Sequence, residues 1–155
     1  IYAIDSLAPL LGRSPRALKR FVNLYRLIKA GLSPAEHNAF VARSEDGLAA
    51  WRRGMEAVAR QPNVHVKVSE FGLKDSAWDY ESNRRVVLDA IAIFGIERCI
   101  FASNFPVAGL RIDYDTLVRS LDRMLAGRSQ ADRDRFFWKN AAAFSRLSMP
   151  SDETT

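Results

Sequence analysis

The chain has 155 residues, of which 48% are hydrophobic and 26% charged, the composition of one ordinary globular domain. No apolar run approaches the roughly 20 residues of a membrane span, so we expect a cytoplasmic protein without a membrane partner. The net charge of +5 comes mostly from arginines mixed with acidic residues, and no DNA- or RNA-binding motif accompanies them. Nucleic-acid binding is therefore not predicted.

Residues 1–42 are predicted to be helical throughout. Ser14-Pro15 is a typical helix start, and Ser33 and Glu36 are spaced as a capping box for a second helix. The apolar residues after Pro15 recur with helical spacing: Leu18, Phe21, Val22, Tyr25 and Ile28. The words "GRSPRALKRFVNLYRLIKAGLS" resemble the region that closes the NTPase domain of KAP-family P-loop ATPases. The phosphate-binding pattern G-x-x-x-x-G-K-[ST] does not occur in the sequence.

Residues 43–148 alternate between helical and strand patterns. "VHVKVS" (64–69) has period two, with His65, Lys67 and Ser69 on one face, and "CIFAS" (99–103) is a second strand. Predicted helices begin at Ser44, near Ser82, at Asp113 and at Ser129. A helix between two strands implies parallel pairing with a right-handed crossover. Residues 149–155 are predicted to be a disordered tail.

From residue 45 to about 147 the chain resembles the C-terminal part of an amidohydrolase-superfamily TIM barrel of the lactonase-like, metal-dependent branch. The sequence segments that carry this resemblance are "GLAAWRRGMEAVARQPNVHVKVSEFGL", "WDYESNRRVVLDAIAIFGIERCIFASNFPV" and "FFWKNAAAFSRL". The resemblance implies an α/β fold, a partial (β/α)8 barrel preceded by an unrelated helical segment. It also implies water attack on a lactone or similar carbonyl substrate, with zinc or manganese in full-length relatives.

The catalytic residues that the resemblance implies are incomplete in this sequence. The family uses a His-x-His pair, further histidines and an Asp after the last strand, whereas this chain has only His37 and His65. Asn104 stands at the position of the Asp, and an amide does not accept a proton at neutral pH. We therefore expect no metal site in this chain and no turnover. The earlier strands are expected to be missing, with a KAP-like tail joined near residues 41 to 44.

The candidate site residues each have a structural alternative. Asn104 takes the catalytic position, or caps the turn before Phe105 as an Asx residue. Lys67 binds a substrate carboxylate, or forms a salt bridge. Ser69 and His65 are further substrate-binding candidates on the same strand face, although one histidine does not make a zinc site. The pair Asp113 and Asp115 is interpreted as a complement to a helix dipole.

Two other functions remain open at this stage. The chain is alternatively a helical regulatory or interaction fragment of a KAP-like ATPase, or a basic adaptor for an acidic partner. Within the hydrolase interpretation, we expect self-association through exposed edges of the parallel strands.

Overall fold

The structure is a computed structural model that describes residues 21–23, 33–42, 44–69 and 77–147. The strands in these ranges are β1 (Phe21–Asn23), β2 (His65–Val68) and β3 (Cys99–Phe101). The α-helices are α1 (Pro34–Val41), α2 (Glu45–Ala59), α3 (Tyr80–Phe94), α4 (Tyr114–Met124), α5 (Gln130–Asp134) and α6 (Asn140–Ser145). A π-helical turn, Arg135–Lys139, joins α5 to α6, and 3-10 turns occupy Ile96–Arg98 and Val107–Leu110.

The three strands form one parallel sheet in the order β1-β2-β3. Val66 at the centre of β2 lies opposite Val22 on one side and Cys99 on the other. The prediction that residues 64–69 and 99–103 are neighbouring parallel strands is confirmed. Helix α3 makes the crossover between them and packs on both strands. Because the strands are parallel, β2 and β3 end at the same edge of the sheet, called here the carboxyl edge.

The prediction of an entirely helical segment over residues 1–42 is wrong at Phe21–Asn23, which form β1 and pair with β2. A strand of three residues is too short to show an alternation of apolar and polar residues. The apolar residues on both sides of it recur with helical spacing, and for this reason a helix was predicted. The predicted helix start at Ser14-Pro15 and the predicted tail 149–155 lie outside the described residues. The division of the chain into domains at residue 42 stays a prediction.

The helix starts that the sequence predicts at Ser33, Ser44, Asp113 and Ser129 are confirmed. Ser33 and Glu36 form the capping box of α1, and Ser44 accepts a hydrogen bond from the backbone of Gly47 at the start of α2. Asp113 and Ser129 cap α4 and α5 in the same way. The start of α3 was predicted less well, because its cap is Asp79, which accepts from Ser82 N at 2.7 Å.

Helices α1 and α2 pack closely. A Cβ at Gly47 would lie 2.2 Å from the backbone of Ala39, so only glycine allows this approach. Phe40 is buried, and its ring centroid lies 5.7 Å from that of Trp51. The end of α1 therefore belongs to the same hydrophobic core as α2. The largest fully buried side chains of this core are Trp51, Phe136, Ile91, Leu117, Leu121 and Leu125.

Candidate functional site

The candidate site lies at the carboxyl edge, where β2 and β3 end side by side. Ala102 N donates a hydrogen bond of 3.1 Å to Val68 O, which continues the strand pairing by one residue. Ser69 therefore leaves β2 next to the point where the chain leaves β3 toward Asn104. In parallel α/β barrels, the side chains that bind substrate come from this edge.

Ser69 is the polar residue with the clearest unmet hydrogen-bonding capacity at this edge. Its side chain is buried, with 4% of the residue exposed. Its hydroxyl has no hydrogen-bond partner among the described residues. Leaving a buried hydroxyl without a partner costs about 1–3 kcal/mol, so such a group calls for an explanation. A ligand oxygen at the carboxyl edge would supply the missing partner.

Asn104 lies three residues after β3, half-buried, in the left-handed region at φ 58°. Its backbone carbonyl accepts a hydrogen bond of 2.9 Å from Ala108 N, which fixes the following turn. The predicted side-chain cap of this turn is made by a different residue, since Phe105 N donates to Ser103 Oγ at 3.3 Å. Asparagine tolerates left-handed backbone better than most residues, so this conformation is a second, structural reason for Asn104.

The structure brings Lys67 to the candidate site and leaves His65 away from it. Lys67 is half-buried on the strand face that also carries Ser69, two residues nearer the start of β2. His65 is the first residue of β2 and lies at the amino-terminal end of the strand. Its ring centroid lies 5.1 Å from that of Phe144. At a rise of about 3.3 Å per residue, His65 lies about 13 Å along the strand from Ser69. His65 therefore packs against the last helix and does not join Asn104.

The described residues do not fit a zinc site. No group of three or more His, Cys, Asp or Glu side chains in these ranges is arranged to hold a metal ion. Structural and catalytic zinc sites require three or four such ligands. Cys99 is not a ligand either, because burial raises the pKa of its thiol to about 12 and only a thiolate binds metal well.

The acidic pair at the start of α4 has a structural role in the described structure. Asp113 accepts a hydrogen bond from Thr116 N at 2.8 Å and caps the helix. Hydrogen bonds from the side chain and backbone of Thr116 hold the pKa of the Asp113 carboxyl below its usual range. Asp115 pairs with Arg119 one turn later, at 3.3 Å. These contacts agree with the interpretation of the pair as a complement to the helix N-terminus.

Two residues that form hydrogen bonds near the amino ends of β2 and β3 were not singled out from the sequence. The side-chain nitrogen of Asn140 donates to Ile96 O and Cys99 O, at 2.7 and 2.8 Å. Arg98 donates to three backbone carbonyls at the ends of α2 and α3. Their partners are distant in sequence, so local patterns do not reveal them. The sequence hint for Asn140 was its place in "FFWKNAAAFSRL", one of the words that carry the family resemblance.

Among curated proteins, the chain is similar to two bacterial proteins. It is 41% identical over 97 residues to the uncharacterized protein y4mH of Sinorhizobium fredii, an alignment that covers 63% of this chain and 33% of that protein. It is 29% identical over 119 residues to an L-fucono-1,5-lactonase of Burkholderia multivorans, covering 71% of this chain and 40% of the lactonase. The chain thus spans about a third to two fifths of the length of these relatives.

Among solved structures, the chain is similar to an amidohydrolase from Burkholderia multivorans, crystallised with bound HEPES and with bound zinc. The TM-scores are 0.73 and 0.72, at 24% and 22% sequence identity. Each alignment covers 95% of this chain and 50% of the solved chain. These similarities show the fold, which is part of an amidohydrolase TIM barrel.

The family comparison covers most of the chain. An amidohydrolase family model matches residues 16–147, which include β1 and every element after it. The KAP-family resemblance of residues 1–42 is not shown by these comparisons. Within the described ranges, no helix is long and apolar enough to cross a membrane. The match over residues 16–147 establishes that the chain belongs to the amidohydrolase family.

Proposed function

We propose that this chain is the C-terminal part of an amidohydrolase-type hydrolase that acts by water attack on a lactone or similar carbonyl substrate. The observation that carries the proposal is the buried hydroxyl of Ser69, which has no described partner and lies at the carboxyl edge beside the start of the Asn104 loop. The similarity to an L-fucono-1,5-lactonase supports a lactone as the substrate class.

Each residue of the proposed site has a distinct part in binding. The Ser69 hydroxyl donates to, or accepts from, an oxygen of the substrate. Lys67 supplies a positive charge on the same strand face and attracts a substrate carboxylate or the oxygen of a polarised carbonyl. Asn104 orients the substrate or the attacking water through its amide, which both donates and accepts hydrogen bonds.

None of these three residues takes the proton from the attacking water at neutral pH. An amide is not a base, a lysine ammonium has no lone pair, and a serine hydroxyl is an ordinary alcohol. Loss of a general base costs about 10²- to 10⁴-fold in rate. The sequence also lacks a His-x-His pair. The isolated chain therefore binds substrate weakly and does not turn it over.

Substrate binding is tested by titrating the purified chain with γ-butyrolactone and with a sugar lactone, followed by NMR chemical shifts. We expect shifts at the backbone amides of Ser69 and Asn104, and weaker binding by the Ser69→Ala variant. Ser145→Ala, an exposed serine on α6, is the matched control and should bind as the unchanged chain does. Shifts elsewhere in the chain, or none at all, would reject the carboxyl edge as the substrate site.

Turnover is tested with lactone and aryl-ester hydrolysis assays in added zinc or manganese. The unchanged chain, Asn104→Ala and Asn104→Asp should all be inactive, because a restored carboxylate does not replace the missing histidines. Metal-dependent hydrolysis that disappears in Asn104→Ala would show instead that this chain carries a complete active site.

A further inference from the structure

The loop that follows β3 exposes an apolar surface close to Asn104. Five large hydrophobic side chains are exposed among the described residues, and three of them lie in this one loop: Val107, Leu110 and Tyr114. These three side chains are called here the apolar patch. Val107 and Leu110 are the two ends of a 3-10 turn, in which side chains three residues apart lie on the same side. Single exposed hydrophobic residues are normal on a protein surface, whereas grouped ones indicate a binding surface.

The loop is fixed in place, so the exposure of the patch does not come from a loose chain. Ala108 and Ile112 are buried and anchor the loop, and Ile112 N donates to Ala108 O at 3.2 Å. Gly109 N donates to Pro106 O at 3.0 Å. Ala108 N donates to Asn104 O at 2.9 Å, so the turn that carries the patch is attached directly to the backbone of Asn104.

An aromatic contact also connects the patch to Asn104. Phe105 is the next residue along the chain, and its ring centroid lies 5.3 Å from that of Tyr114 in an edge-to-face arrangement. The Phe105 ring packs against Gly109 as well, where an added Cβ would lie 3.3 Å from a ring carbon. Phe105 therefore supports Tyr114 from within the loop and leaves the Tyr114 side chain exposed.

The position and the size of the patch favour a part of the substrate as its partner. Small-molecule sites consist mainly of apolar side chains, with a few polar groups that fix the orientation of the ligand. The proposed site at the carboxyl edge has polar groups in Lys67, Ser69 and Asn104, and the patch lies on the loop that continues from Asn104. A stable protein partner would cover about 20–30 residues, far more than the three side chains of the patch.

We propose that the apolar patch selects the substrate by binding an alkyl substituent of the lactone whose ring lies at the carboxyl edge. This inference rests on the proposed function, because it takes the lactone site as given. A 3-10 turn rises about 2 Å per residue, so Val107 and Leu110 lie about 6 Å apart along the turn. A short alkyl chain such as a butyl group spans that distance. The patch thus determines specificity without contacting the carbonyl that reacts.

The first test compares γ-butyrolactone with γ-octalactone, the same ring with a butyl substituent, by NMR titration of the unchanged chain. Complete burial of one methylene strengthens binding about fourfold, and burial of about half of each gives about twofold per carbon. We therefore expect γ-octalactone to bind at least about tenfold more tightly. It should shift the backbone amides of Leu110 and Tyr114 in addition to those of Ser69 and Asn104.

The outcomes of this titration separate the inference from the proposed function. Equal affinities for the two lactones, with shifts at Ser69, would overturn the inference and leave the proposed function standing. Shifts by γ-octalactone that are confined to the loop would show an apolar surface separate from the site, and would also overturn the inference. Failure of both lactones to bind would reject the proposed function and the inference with it.

The second test compares Leu110→Ser with the matched variant Leu147→Ser. The two leucines are 83% and 64% exposed, so neither change should unfold the chain. Leu147 lies three residues after Phe144, which packs against His65 at the amino-terminal end of β2, away from the carboxyl edge. Leu110→Ser should weaken the binding of γ-octalactone at least about threefold and leave that of γ-butyrolactone unchanged. Leu147→Ser should change neither.

Three results of the second test would overturn the inference. Unchanged binding of γ-octalactone by Leu110→Ser would show that the patch is not used. Equal weakening by Leu110→Ser and Leu147→Ser would show that the alkyl chain adsorbs to any exposed leucine. An equal loss for both lactones in Leu110→Ser would show a general change of the loop, and not the removal of a contact to the substituent.

Discussion

Two separate properties matter at the position of Asn104: the backbone conformation that the residue must adopt, and the chemistry of its side chain. Its φ of 58° selects a residue that tolerates left-handed backbone. The family resemblance predicts an Asp at this position in active relatives. Aspartate and asparagine both tolerate this conformation. The backbone conformation therefore does not by itself select Asn over Asp, and an amide at this position keeps the turn without supplying the base that the resemblance predicts.

The conformational role of Asn104 is measurable through stability alone. We expect Asn104→Ala to lower the free energy of unfolding by about 1 kcal/mol, because a Cβ-bearing residue without a polar side chain is strained at positive φ. Asn104→Gly should change it by only a few tenths of a kcal/mol. Urea unfolding measures both. Equal losses in the two variants would indicate that the side-chain amide, and not the backbone conformation, stabilises the turn.

The Asp113 cap predicts a specific dependence of stability on pH. The pKa of Asp113 is lowered in the folded chain, so its stabilising contribution is present above the unfolded pKa of about 3.9 and is lost as the pH falls through the folded value. In Asp113→Asn the side-chain oxygen still caps α4, but the side chain no longer titrates. The difference in urea midpoint between the unchanged chain and Asp113→Asn should therefore be largest at pH 7 and shrink below about pH 4.

A second cap serves as the control for this pH dependence. Ser129 caps α5 through an uncharged hydroxyl. Ser129→Ala should lower the urea midpoint by a similar amount at every pH from 3 to 7, since no proton is bound or released at that cap. The difference in urea midpoint between the unchanged chain and Asp113→Asn could instead stay constant over this pH range. That result would mean that the charge of Asp113 does not contribute to the stability of the cap.

The two helices that precede β2 and β3 end at a shared arginine. Arg98 Nε donates to Phe94 O at 2.7 Å, and its Nη1 donates to Ala59 O and Gln61 O at 2.9 and 3.1 Å. The guanidinium also lies 5.3 Å from the centre of the Phe94 ring. One side chain thus donates to carbonyls at the ends of both α2 and α3, where helix termini leave carbonyls without intrahelical partners. The third carbonyl, Gln61 O, also accepts a hydrogen bond from Val64 N.

Removal of this arginine should be costly. We expect Arg98→Ala to lower the free energy of unfolding by about 2–3 kcal/mol, because charged hydrogen bonds are lost and half-buried carbonyls lose their donor. Arg98→Lys should lose less but not recover the full value, since an ammonium lacks the planar fork. Arg128→Ala, at an exposed arginine, is the matched control and should change stability by less than about 0.5 kcal/mol. Thermal or urea unfolding distinguishes these three variants.

Elements with local signals were predictable from the sequence, and elements defined by distant contacts were not. Four helix starts were predictable because a capping residue marks each of them in the sequence: Ser33, Ser44, Asp113 and Ser129. Strand β2 was predictable because its apolar and polar residues alternate. By contrast, β1 is three residues long and is a strand only because β2 pairs with it. At the site, the position of Asn104 followed from the resemblance. Its left-handed backbone and the bonds of Asn140, whose partners lie 41 and 44 residues away, required the structure.

At the scale of the whole molecule, the described chain corresponds to part of a barrel. It covers 50% of the solved amidohydrolase to which it is similar, and its sheet has three described strands where a complete barrel has eight. The described strands position the proposed substrate-binding residues Lys67, Ser69 and Asn104. In such a barrel, catalytic residues come from the ends of several different strands, so we expect part of a barrel to retain binding groups and to carry only part of the catalytic set.

The boundary at residue 42 can be tested by two truncations. A chain of residues 16–155 retains all residues that the family model matches. A chain of residues 43–155 lacks β1 and the buried Phe40, which packs on Trp51. We expect 16–155 to unfold at the same urea concentration as the full chain. We expect 43–155 to lose at least about 3 kcal/mol, because one large apolar side chain is removed from the core and one edge of β2 is uncovered.

The opposite result would support two separate domains. If residues 1–42 form an independent segment, 43–155 should keep the stability and the association state of the full chain, because no contact of the barrel part would be lost. The packing of Ala39 on Gly47 and the pairing of β1 with β2 argue against that result. An uncovered β2 in 43–155 should also recruit other chains, so sedimentation velocity should show stronger concentration-dependent association for 43–155 than for 16–155.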